Sequence, residues 1–319
     1  MQQDLPHIAV VVPCYKVTDH ILEVIAGIGP EVSTIIVVDD ACPDKSGEFV
    51  QSRTNDDRLK FIFHEVNEGV GGAVISGYKL ALKAGAEVIV KLDGDGQMDP
   101  RLVLDISKPV IERNADYSKG NRFDSLENLL GMPKIRLFGN AVLSIWSKAS
   151  TGYWSVTDPT NGFTAIHRRA LESINLDKVR KSFFFESDLL FRLYIANCVV
   201  VDVPMAAHYG SEKSNLKVRQ VLAEFPWRHT VNFYKRLFYR YYLREWNVGS
   251  FELPAGLALL VFGIWFGFSS YADAVAAGVG TTAGQATGSA VALLLGVQLL
   301  LSFVSYDVQI EPRVPRQKK

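Results

Sequence analysis

Two long apolar runs near the C-terminus constrain this chain more than any other feature. Residues 251–271 and 287–306 are each about twenty residues of mostly aliphatic and aromatic side chains. From Phe251 to Tyr306 there is no Lys or Arg, and the only acids are Glu252 and Asp273. At a rise of about 1.5 Å per residue, a helix of this length crosses a hydrocarbon core about 30 Å thick. Arg228, Lys235, Arg236, Arg240 and Arg244 precede the first run, and Arg313, Arg316, Lys318 and Lys319 follow the second. The connection over 272–286 is rich in Gly, Ala and Thr and carries no cation. Cations on both outer flanks and none between predict a hairpin with both ends cytoplasmic, in an inner or plasma membrane. The alternative is a pair of buried helices in a soluble domain, which rarely run this far without a charge. Gly256, Gly263, Gly267 and Gly296 permit close helix packing, within a hairpin or between copies in a homo-oligomer.

The segment before the first run, 227–246, mixes its cations with Phe233, Tyr234, Phe238, Tyr239, Tyr241 and Tyr242. Such a mixture suits a helix lying among membrane lipids at headgroup depth, the alternative being an amphipathic helix packed on the rest of the chain.

The remainder reads as an α/β domain. Its 34 basic and 34 acidic residues balance, which argues against a nucleic-acid partner. Cys14, Cys42 and Cys198 form no Cys-x-x-Cys and are odd in number, so neither a disulfide framework nor a structural zinc is indicated. The first apolar run, 8–12, is too short for a signal core and is closed by Pro13, so the domain is expected to stay in the cytoplasm. Short apolar runs at 7–12, 34–38, 59–63 and 88–92 predict strands. Between them, 19–28, 46–52 and 70–83 read as helices, and Asp99-Pro100 opens another over 101–113. This rhythm implies a mostly parallel sheet covered on both faces, with ligands beyond the C-terminal strand ends. Tyr15, Asp39, Asp40, Asp93 and Asp95 cluster there.

The motif Lys91-Leu92-Asp93-Gly94-Asp95-Gly96-Gln97 follows one such strand. Two carboxylates one residue apart, with glycines for a sharp bend, suit Mg²⁺ or Mn²⁺. Alone, Asp-x-Asp is more often a solvated turn; its position at a strand end favours the metal. A strand ending in Asp39-Asp40 can contact a ribose or a base edge, or simply exit into a polar loop. The turn Asn67-Glu68-Gly69-Val70-Gly71-Gly72-Ala73 opens a helix, where glycines let N–H groups such as that of Gly71 approach an anion. Its spacing is not the dinucleotide fingerprint, which disfavours a nicotinamide enzyme.

Taken in order, Val11-Val12-Pro13-Cys14-Tyr15, Val38-Asp39-Asp40, Asn67-x-Gly69-x-Gly71 and Asp93-x-Asp95-x-Gln97 resemble the family-2 glycosyltransferases of GT-A fold. Within that family they resemble the polyprenyl-phosphate sugar synthases of the dolichyl-phosphate mannose synthase type. The likeness covers roughly residues 7–216, and Val70 departs from it where many relatives carry Lys. It implies a Rossmann-like GT-A catalytic domain over 1–215, followed by juxtamembrane helices over 216–248 and the hairpin with its basic tail over 249–319. It implies nucleotide contact by Pro13, Tyr15, Asp39 and Asp40, and metal–diphosphate contact by Asp93, Asp95 and Gln97. Arg122 and Arg136 stand where the family holds the acceptor phosphate, although Asn140 replaces a hydroxyl residue expected after the second arginine. The segment Asp158-Pro159-Thr160-Asn161-Gly162-Phe163 resembles the wall of the donor-sugar pocket, and Lys213 lies in a loop like one beside the diphosphate.

The implied reaction is an inverting displacement on a UDP- or GDP-type nucleotide-diphosphate sugar. A polyprenyl-phosphate acceptor is already anionic at pH 7, so it needs positioning by arginine and no base. A hydroxyl of a lipid-linked saccharide, as in capsule or O-antigen assembly, would need a carboxylate base. Asp188 is the candidate, with Glu186 and Asp158 behind it. A third reading is a nucleotide-binding membrane scaffold without catalysis.

Overall fold

The computed structural model describes residues 6–123, 134–205 and 218–318. They fall into two compact units, Met1–Tyr234 with Pro312–Lys319, and Lys235–Glu311.

The first unit holds strands β1 (Ile8–Cys14), β2 (Val32–Asp39), β3 (Leu59–Phe63), β4 (Val88–Lys91), β5 (Tyr117–Asn121), β6 (Thr164–His167) and β7 (Val200–Pro204). They form one seven-stranded sheet in the order β3-β2-β1-β4-β6-β5-β7. All pairings are parallel except those of β6, which runs antiparallel to β4 and β5. The helices are α1 (Ile21–Ala26), α2 (Ser46–Arg53), α3 (Val70–Lys83), α4 (Val103–Ile111), α5 (Lys134–Thr151), α6 (Arg168–Glu172), α7 (Phe185–Ile195) and α8 (Val218–Phe238), whose last residues, from Lys235, belong to the second unit.

Strand β1 is apolar throughout because both faces are covered. Ile8, Val10 and Val12 pack with Ile35 and Val37 of β2, Val24 of α1 and Ile106 of α4. Ala9 and Val11 point the other way, toward Ile36, Tyr78 of α3 and Leu189 of α7. The two-residue alternation of the pleat thus sends successive side chains into two cores.

Pro13 does not end the strand as the sequence suggests; β1 continues to Cys14. The Val11 carbonyl accepts from Leu92 N–H on the β4 side. Pro13, two residues on, turns its missing N–H to that same side, beyond the last paired residue Lys91. Proline is tolerated there because no ladder bond is lost. Asp99 does cap the turn Pro100–Leu102, accepting from Arg101 N–H, and α4 follows directly.

The second unit is a pair of long helices, α9 (Val248–Ala276) and α10 (Ala283–Gln309), preceded by a π-helical turn, Tyr239–Arg244. Both helices are long and apolar enough to cross a membrane. Large apolar side chains face outward, with Trp265 63%, Phe268 72% and Leu294 71% exposed. A buried pair of core helices would show the opposite. The helices meet closely at glycine: a Cβ on Gly296 would lie 3.0 Å from the Gly256 carbonyl oxygen. Within this unit Arg236 forms a bidentate ion pair with Asp307, at 2.7 and 2.9 Å, and Tyr241 donates to the same carboxylate. Arg236 is 0% and Asp307 2% exposed.

Candidate active site

The C-terminal ends of β1, β2 and β4 are neighbours in the sheet, so Cys14, Asp39 and Lys91 end at one edge. The buried Cys14 thiol is held well above its ordinary pKa by desolvation first, and then by Asp39, Cys42 and Asp93. The two acidic motifs therefore converge on one region.

Their carboxylates do different work. Asp39 is buried and accepts from Cys42 N–H and Gly47 N–H, both at 2.7 Å, so it organises the loop that opens α2. Asp40 is also buried, and its Oδ1 lies 2.7 Å from His64 Nδ1. It accepts from Glu68 N–H and Gly69 N–H, each at 2.8 Å. Asp40 thus anchors the glycine turn before α3, where Gly69 has φ of +84°. The Gly71 amide was expected to face an anion; it donates instead to the Lys181 carbonyl at 2.9 Å. A Cβ there would lie 2.6 Å from the Arg180 carbonyl oxygen, so this glycine admits the 180–181 backbone against the helix. Pro13 is half-buried, and Tyr15 is 40% exposed at the end of β1.

Asp93 sits just beyond β4 beside Lys91, a cation the sequence reading passed over. Lys91 is 1% exposed although its side chain ends in an ammonium. Its Nζ lies 2.9 Å from Asp93 Oδ1 and 3.2 Å from Oδ2. The ammonium thus faces both oxygens, and Asp93 Oδ1 is buried with no hydrogen-bond donor besides Lys91. Glu186, in the first turn of α7, lies 3.3 Å from the same ammonium. Burial alone would lower the Lys91 pKa, but Asp93 and Glu186 outweigh it and hold the group above its usual value. The signal available in sequence was a lysine closing a strand of Val and Ile. Asp95 accepts from Gln97 N–H at 3.1 Å, and Gly96 between them has φ of +76°, which bends the loop.

The wall opposite is residues 158–163. A Cβ on Gly162 would lie 2.6 Å from Asp93 Oδ2, so this segment runs directly past the metal-type motif. Asp158 is fully buried and holds Arg122 through Nε at 2.7 Å and Nη2 at 3.1 Å. The Arg122 side chain keeps 28% of its surface exposed. Lys119, one strand position from Gly120, donates to the Asn161 carbonyl. Its burial lowers its pKa to about 8, against the pull of Asp158 and Glu186.

Asp188, the candidate base, is engaged elsewhere. Its Oδ2 accepts from Arg180 N–H at 3.0 Å and Arg192 Nε at 2.9 Å, and it is 3% exposed. The i, i+4 spacing on α7 makes that pair. Two residues earlier, the helix turns Glu186 toward Lys91 instead. Arg136 lies in α5, and its side chain, like Lys213, is outside the described residues.

Among the described residues no three His, Cys, Asp or Glu side chains converge as a metal set. The chemistry of the strand-end pair still fits a hard cation. Asp93 and Asp95 offer carboxylate oxygens, one of them buried with no hydrogen-bond donor besides the Lys91 ammonium, and Gln97 adds an amide oxygen. Such a pair leaves coordination positions for phosphate oxygens.

Residues 9–174 match the family model Glycosyl transferase family 2. The undecaprenyl-phosphate mannosyltransferase of Micrococcus luteus is 30% identical over 175 residues, covering 54% of this chain and 71% of that protein. The polyprenol monophosphomannose synthase of Mycolicibacterium smegmatis is 28% identical over 202 residues, covering 61% and 75%. Glucosyl-3-phosphoglycerate synthase of Mycobacterium tuberculosis, solved with Mn²⁺, UDP and phosphoglyceric acid, superposes with a TM-score of 0.52 at 15% identity. That superposition covers 72% of this chain and 78% of the other. The sheet is of the GT-A type, mostly parallel with helices on both faces.

Proposed function

The chain belongs to glycosyl transferase family 2, and from that premise we propose that it transfers a sugar from a nucleotide diphosphate to polyprenyl phosphate at the cytoplasmic face of a membrane. The observation that carries this reading is the apolar hairpin, whose large side chains face outward, on the same chain as a family-2 catalytic unit. An exposed apolar surface of this kind marks a membrane or partner contact, and a lipid acceptor gives a membrane contact its purpose. The chain leaves the catalytic unit after Tyr234 and rejoins it at Pro312. That connectivity supports a hairpin with both ends on the catalytic side, in agreement with the flanking cations.

In this reading Pro13, Tyr15 and the 39–40 strand end hold the nucleotide, with Asp39 and Asp40 acting through the loops they fix. Asp93, Asp95 and Gln97 hold Mg²⁺ or Mn²⁺ against the diphosphate. When bound, the cation offsets the charge that builds on the leaving group. Arg122, tied to the buried Asp158, and Arg136 orient the acceptor phosphate, and Lys213 meets the diphosphate from its loop. The acceptor oxygen attacks the anomeric carbon from the face opposite the leaving group, and the sugar inverts. A phosphate monoester, whose second pKa is near 6, attacks as the anion, and no proton has to be removed. A hydroxyl acceptor would need a carboxylate base, and Asp188, Glu186 and Asp158 are each paired with a cation, Arg192, Lys91 and Arg122, which supports the phosphate acceptor.

The test is to incubate membranes containing the chain with a panel of nucleotide sugars, Mn²⁺ and undecaprenyl phosphate, and to identify lipid products by mass spectrometry. A lipid phosphate carrying one sugar is expected, lost in Arg122→Ala while slow nucleotide-sugar hydrolysis persists. Transfer only to a saccharide hydroxyl would overturn the acceptor assignment.

A further inference from the structure

Residues 312–318 return to the first unit after the hairpin, and the seat that receives them is built from groups with no other evident purpose. Asp116, at the start of β5, is 0% exposed. Three backbone N–H groups converge on its carboxylate: Val199 at 2.8 Å and Arg316 at 2.7 Å on Oδ2, and Gln317 at 3.1 Å on Oδ1. Two of the three come from the returning chain. The Gln317 side chain, 7% exposed, donates to the carbonyls of Val110 at 3.0 Å and Ala115 at 2.6 Å. Val110 is in the last turn of α4, and its carbonyl also accepts from Arg113 N–H at 3.1 Å. Arg316 donates to the carbonyl of Ala196, the residue capping α7, at 2.8 Å. Arg169 of α6 closes the seat by donating to the Gln317 carbonyl at 3.3 Å. The segment thus supplies two of the three N–H donors of a buried carboxylate and meets carbonyls at the ends of two helices. Without it Asp116 would keep only the Val199 donor of these three, and the Ala115 and Ala196 carbonyls would lose these donors, while remaining partly enclosed by protein.

We propose that residues 312–318 are an intramolecular docking segment and that the Asp116 seat is specific for it, so that chain emerging from the hairpin is required to complete the unit that entered it. The catalytic unit is then a two-segment fold closed through the hairpin. Where the hairpin crosses a membrane, a consequence that rests on the reading above, only insertion that returns residue 312 to the side of residue 234 can finish the catalytic unit. The tail then serves as a check on topology.

The experiment uses the full chain in detergent micelles and reads amide hydrogen exchange and thermal unfolding, neither of which depends on transfer activity. Asp116→Asn and Gln317→Ala should each speed exchange at Val199 and across the tail by about tenfold or more. They should lower the unfolding midpoint by roughly 2–8 °C, and the double variant should fall short of the sum. A chain ending at Glu311 should lose protection at Val199 and melt lower still. If the shortened chain does not accumulate, the two point variants carry the test. Rapid exchange of the tail in the unaltered chain would overturn the proposal. So would additive point variants, or a shortened chain with unchanged Val199 protection and melting.

Discussion

Acidification should destabilise the first unit through His229. This residue, in α8, is 1% exposed. Its Nδ1 lies 2.7 Å from Ser150 Oγ, and its ring meets the edge of Phe184 at 4.8 Å between centroids. Its Nε2 is buried with no hydrogen-bond partner. Protonation would put a charged N–H into that apolar contact, and burial accordingly pushes its pKa down to about 4. An unfolded chain takes up this proton near pH 6.5, whereas the folded chain refuses it until about pH 4. Between those values the unfolded state binds more protons, so stability rises with pH and is lost progressively as pH falls from 6.5 to 4. At about 1.4 kcal/mol for each pH unit, the full window is worth about 3 kcal/mol. For a unit of this size that corresponds to a fall of roughly 6–12 °C in midpoint. Thermal unfolding of the chain and of His229→Phe, measured from pH 7.5 to 4.5, isolates the contribution. The chain should lose several degrees more than the variant over that range. Parallel slopes for the two proteins, or a variant that is the more acid-sensitive, would refute the reasoning.

Asp307→Asn removes the carboxylate charge that the buried Arg236 holds through two hydrogen bonds, and should cost about 3–5 kcal/mol in thermal unfolding, with Arg236→Met/Asp307→Leu recovering most of it. Asp93→Asn should reduce Mn²⁺-dependent transfer by about a hundredfold or more and weaken nucleoside diphosphate binding only when Mn²⁺ is present, read by calorimetry with and without the ion. Gly162→Ala puts a methyl group 2.6 Å from the present position of Asp93 Oδ2, so nucleotide affinity should fall about tenfold or more, and the overpacking should also lower the midpoint of unfolding by a few degrees.

The parts legible in sequence were those set by periodicity over short range. Residues 59–63 and 70–83 were readable to the residue as β3 and α3, because an apolar strand and a glycine-opened helix each announce themselves locally. The hairpin was legible because so little charge over such lengths has few other causes. Strands β5, β6 and β7 were not read from the sequence. Tyr117–Asn121 carries Ser, Lys, Gly and Asn, a poor strand composition, yet every one of its residues is buried. Its lysine is tolerated only because the Asn161 carbonyl and nearby carboxylates meet it. Tertiary context overrides propensity there.

The acids show most clearly what sequence leaves open. Asp39, Asp40, Asp93, Asp158, Glu186 and Asp188 look alike as letters at the ends of elements. In the fold, Asp39 and Asp40 fasten loops, Asp158 fixes a partly exposed arginine, and Asp188 joins α7 to the backbone of residue 180. Asp93 differs because its neighbour is a lysine shared with Glu186 and because one of its oxygens has no hydrogen-bond donor besides that lysine. A carboxylate already surrounded by N–H donors gains little from a further cation, whereas one held by a single ammonium still has capacity to bind. By that argument the acid suited to a metal is decided less by the Asp-x-Asp spacing than by what each side chain meets after folding. Replacing Lys91, a side-chain partner, should therefore disturb Asp93 more than replacing Glu68, which reaches Asp40 through its backbone N–H, disturbs Asp40.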